Sequence, residues 1–164
     1  MARTGKFEGT DGATLTVTLT ESLIIDNRDY GSVQSVEIPA IVDVTRRIIT
    51  VKHDAESVIA TFAAAVGPGG YIAADVMYIR LSNIDATNFV TFTFRNQDND
   101  EFSVKVDAEK SFIMHGDISN GFTSMFNATE DADAAYSTNF GSLTNIQARA
   151  DTASVDVEMY IAGK

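Results

Sequence analysis

From Ala13 to Thr20 apolar and polar side chains alternate without a break. Leu15, Val17 and Leu19 fall on one side, and Thr14, Thr16, Thr18 and Thr20 on the other. Successive side chains of an extended backbone point to opposite faces, so this period of two predicts a half-buried β-strand. Leu23-Ile24-Ile25 continues the apolar run, and Asp26-Asn27-Arg28-Asp29-Tyr30-Gly31 predicts a turn. Val33 to Ile41 is a second extended stretch, bent at Pro39, which has no amide hydrogen to give a ladder and belongs at an edge or bulge. Ile48 to Val51 is a third.

Residues 54–66 support two readings. Asp54 could cap a helix with Val58, Ile59, Phe62 and Val66 on one side, or Glu56 to Phe62 could be a strand. Gly67-Pro68-Gly69-Gly70 ends either element. Val76 to Leu81 is apolar on both faces apart from Arg80, which predicts a central strand. Val90, Phe92 and Phe94 then alternate with Thr91, Thr93 and Arg95. After the turn residues Asn96 to Asp100, Phe102, Val104 and Val106 alternate with Ser103, Lys105 and Asp107. This is the pattern of a hairpin with inward aromatics. Ser111 to His115 and Ile146 to Ala150 read as further strands, and Val155, Val157, Met159 and Ile161 alternate through the last. Residues 116–141 are long, polar and glycine-punctuated, with scattered aromatics, and a loop of that length commonly binds something or packs on itself. The fold expected is all-β: an antiparallel two-sheet β-sandwich or jelly-roll-like domain over residues 13–164, with at most one short helix, preceded by an extended arm at 1–12.

Composition narrows the chemistry. The 164 residues suffice for one domain with a real core. There is no cysteine, which removes disulfides, thiolate metal sites and cysteine nucleophiles. A net charge of −11 repels phosphate backbones, so no nucleic-acid partner is expected. The first residues carry no apolar run of a signal peptide and no stretch approaches a membrane span, so the chain is expected to be soluble, made in the cytoplasm, with no membrane partner.

The candidate sites are few. His53 and His115 lack further ligands at metal or triad spacing. Asp98-Asn99-Asp100-Glu101 resembles part of a calcium loop but lacks its glycine and its distant glutamate, and a hairpin turn accounts for it more simply. Glu130-Asp131-Ala132-Asp133 reads as solvated charge, and Asn127-Ala128-Thr129 as a chance glycosylation sequon. No phosphate loop or Ser-His-Asp order occurs, so neither an enzyme nor a cofactor is expected. Candidate partner contacts are Arg3, Lys6 and Phe7 in the arm, and Phe122, Met125, Phe126, Tyr136 and Phe140 in the long loop. Those loop aromatics could equally close one end of the sandwich.

Two stretches carry a resemblance. Val76 to Asp85, the phenylalanine strand and Val106 to Phe112 form one, and the ending Asn145 to Val157 forms the other. Together they resemble small structural proteins of tailed bacteriophages, particularly marine and cyanobacterial ones, over residues 75–160. Where those proteins often place Pro-Gly in the turn before the phenylalanine, this chain has Ala108-Glu109. The resemblance implies a virion component, most simply a capsid decoration or cement subunit acting as a homo-oligomer, a trimer by preference. Its partners would be itself and the major capsid protein or other virion subunits. A tail-tube or neck subunit, for which a helix at 54–66 would speak, and a carbohydrate-binding or adhesion module are the alternatives.

Overall fold

β-Branched and aromatic residues at alternate positions suit a pleated surface with one covered face, and the computed structural model of the chain is all-β. It describes residues 3–6, 12–65, 67, 69–116, 121–123 and 142–164. The strands are β1 (Arg3–Lys6), β2 (Ala13–Glu21), β3 (Ile24–Ile25), β4 (Arg28–Asp29), β5 (Ser32–Ile41), β6 (Asp43–Val51) and β7 (Ser57–Ala63). They continue with β8 (Gly70–Ile72), β9 (Val76–Asn83), β10 (Val90–Asn96), β11 (Glu101–Val106), β12 (Ser111–His115), β13 (Leu143–Ala150) and β14 (Val155–Gly163). No helix occurs among the described residues.

Two five-stranded sheets form the sandwich, in the orders β1-β6-β14-β9-β12 and β11-β10-β13-β7-β8. All their pairings are antiparallel except β7 with β8. The expected central strand is central: β9 lies between β14 and β12, and its one charged residue, Arg80, faces outward. The predicted hairpin forms between β10 and β11, with Phe92 opposite Val104 and Phe94 opposite Phe102. Asn96 shapes its turn by accepting the amides of Asp98 and Asp100 on Oδ1, so the acidic run there serves the turn.

The core between the sheets is apolar and closed. Phe92, Phe94, Ile79, Leu81, Ile146 and Met159 are fully buried in it, and burial of each such side chain contributes about 1.5–3 kcal/mol. Phe94 stacks on Phe102 with ring centroids 4.8 Å apart. Asn83 is one of a few buried polar residues, and it is satisfied: its amide donates to the carbonyls of Asn88 and Val106, and its oxygen accepts the amide of Asp85.

Three expectations are refined. Residues 57–63 settle as strand, because β7 pairs along β13 and buries Ile59, Ala60 and Phe62. Within the expected extended arm, residues 3–6 form β1 on the edge of β6, Thr4 opposite Thr45. The expectation of a half-buried β2 holds only at its base. Leu15 and Val17 are partly covered, whereas Leu19 is 54% exposed.

Candidate functional site: a projecting arm and the recess at its base

β2 and β5 make a ladder of their own, continued by β3 and β4, and join neither large sheet. The ribbon turns at Asp26-Asn27, both with positive φ, as a tight hairpin turn requires. Local polar bonds hold it: Tyr30 N–H donates to the Leu23 carbonyl, Gly31 N–H to Asp29 Oδ1 and Ser32 Oγ to Glu21 Oε2. On one face Thr18 and Ser35 share a hydrogen bond of 2.9 Å. The other face carries Leu15 opposite Ile38, Val17 opposite Val36 and Leu19 opposite Gln34.

Only the base of this ribbon is covered. Ile38 and Ile41 are buried with Met77, Tyr78 and Ala162 on the outer face of the first sheet, and Leu15, Val17, Val44 and Tyr160 pack around them. A register shift between β9 and β14 lies at Met77 and sends both Met77 and Tyr78 into this second cluster. The ribbon bends there through the Pro39 bulge foreseen from the sequence: its register shifts opposite Pro39-Ala40, and Ala40 takes φ 61°. A Cβ on Gly12 would meet the Ala40 carbonyl carbon at 2.6 Å, so only glycine permits that approach.

Beyond the base the chain is uncovered. Every residue from 18 to 37 is exposed, including Leu19, Leu23, Ile24, Ile25, Tyr30, Val33 and Val36, at between 49% and 71%. Beside the base lies a recess of about 240 Å³ lined by Val36, Glu37, Ile38, Pro39, Met77, His115 and Gly116. Its walls are largely apolar.

The rest of the outer face is mixed: Ile48, opposite Glu158, and Ile113, opposite Arg80, stand exposed beside a polar network. Glu158 accepts from Arg46 on one oxygen and from Arg80 on the other, and these bonds, Arg46's foremost, hold its carboxyl below the usual range. Tyr78 meets Tyr160 and His115 edge-on, with centroids 5.8 and 5.4 Å away, and burial raises its phenol above the ordinary value. Asp85, in the loop after β9, is lowered by the amides of Asn88 and Thr87. His53 offers its carbonyl to Arg149. Among the described residues, no three His, Cys, Asp or Glu side chains cluster as metal ligands. The geometry suits recognition through apolar contact.

The residues nominated from sequence are dispersed. Arg3 and Lys6 bound β1, and Phe7, Met125, Phe126, Tyr136 and Phe140 lie outside the described residues. Phe122 is fully buried in the main core. The exposed apolar arm was missed because its alternation is that of any half-covered strand. Its one legible signal was the consecutive Leu23-Ile24-Ile25 directly before a turn. The chain matches no family model, no curated protein and no solved structure.

Proposed function

We propose that this protein is a structural subunit of a tailed-phage particle, a capsid decoration or cement protein that works by contact alone. One observation carries the proposal: a closed sandwich extends a ribbon whose large apolar side chains stand exposed among the described residues. An isolated two-stranded ribbon is marginal in water, and exposed apolar surface of this extent marks an interaction site. The resemblance of residues 75–160 to phage structural proteins supports the particle as the setting. Binding energy from such contacts would clamp neighbouring subunits of the shell.

A tube or neck ring is the second reading. The helix that it called for at 54–66 is replaced by β7, but a reaching arm is a device that suits subunits closing a ring. Mass spectrometry and labelling of purified particles test both. The decoration reading requires the chain on the head in stoichiometric amounts, with heads lacking it bursting at lower temperature. Finding it only on the tail or neck selects the second reading, and its absence from particles removes both.

A further inference from the structure

We infer that the arm is an exchange element between copies of this chain: the apolar tip of one subunit, led by Ile24 and Ile25, seats in the recess at the arm base of the next. This rests on the assembly reading above and names the surface that would perform it. The first argument is area. Leu19, Leu23, Ile24, Ile25, Tyr30 and Val33 are each more than half exposed on this one ribbon, and together they exceed the ~300–600 Å² apolar patch of an ordinary monomer. The second is complementarity within one chain. Ile24 and Ile25 are 71% and 51% exposed, and the recess lined by Val36, Ile38, Pro39 and Met77 is open and apolar.

The two cannot meet within a subunit. From Leu15 to Glu21 the ribbon runs extended for roughly 20 Å at ~3.3 Å per residue, and the tip lies beyond it. A knob and a hole on different parts of one surface make a head-to-tail contact, which closes as a ring or grows as a filament. At the tip Ile24 and Ile25 are successive strand residues and so point to opposite faces of the ribbon. The neighbour would therefore hold it from two sides.

The chain has no cysteine, so single cysteines report contacts cleanly. Ile24→Cys and Glu37→Cys proteins, mixed and treated with a short bismaleimide, should give cross-linked pairs of one of each kind, well above either protein alone. Sedimentation should show concentration-dependent assembly of the parent chain, and Ile24→Asp should weaken it about tenfold or more while leaving thermal unfolding unchanged. A parent chain that stays monomeric at about 100 µM overturns the inference, as does cross-linking confined to Ile24→Cys with itself, which would mean tip-to-tip pairing. Arm-mediated assembly of a protein absent from purified particles would support this inference and remove the virion reading. A monomer found on particles would do the reverse.

Discussion

Glu158 is the residue on which the outer face of the first sheet turns. It lies between Arg46 and Arg80 and accepts from both. Its carboxyl is held below 4.5, so the folded state favours the charged form. That contribution is present above the ordinary carboxylate range and is lost as pH falls through the lowered value. Glu158→Gln should lower Tm by about 2–4 °C at pH 7, the equivalent of ~1 kcal/mol in a partly exposed network. The difference from the parent should shrink as melts are repeated at progressively lower pH below 4.5. Phe122 tests a different point. Fully buried, it should cost about 3–5 kcal/mol when replaced by alanine, measured by urea unfolding; a loss of partner binding with stability intact would contradict its place in the core.

At the scale of elements, the ribbon of β2 and β5 is the part whose form and covering diverge. Its strands, its turn at Asp26-Asn27 and its bend at Pro39 all follow from local chemistry. Its bend holds Ala40 at φ 61°, a conformation that L side chains adopt at a cost of about 1–2 kcal/mol. Ala40→Gly should therefore raise stability by about 0.5 kcal/mol, after the added freedom of the unfolded chain is offset, as read by thermal unfolding. Removing residues 18–35 and joining the stubs with a short glycine turn should leave the sandwich folded, with Tm within about 3 °C. Those residues are exposed and lie outside both buried clusters. A collapse of the near-ultraviolet signal would show instead that the arm props up the domain.

The whole molecule carries a net charge of −11, which sets like copies against one another. Any assembly through the apolar arm works against that repulsion, and salt screens it with a Debye length of ~10 Å at 0.1 M. Raising sodium chloride from about 20 mM to about 500 mM should therefore promote self-association in sedimentation experiments, with no change in fold. Weakening with salt would point to charge pairing across the interface.

Much of the architecture was legible from residue order because extended backbone exposes its faces in turn. The alternation in β10, β11 and β14, the two-sided apolar run of β9 and the turn residues at 96–100 all have local causes, and each became the element expected. Residues 54–66 were ambiguous because a short apolar run fits both periods; pairing along β13 decided for strand. Covering could not be read in the same way. Leu15 and Leu19 are chemically alike and share a face, yet the outer surface of the first sheet reaches one and stops short of the other. Periodicity states which side of a strand is apolar; what lies against that side is set by how far the neighbouring sheet extends, and only the tertiary structure determines that.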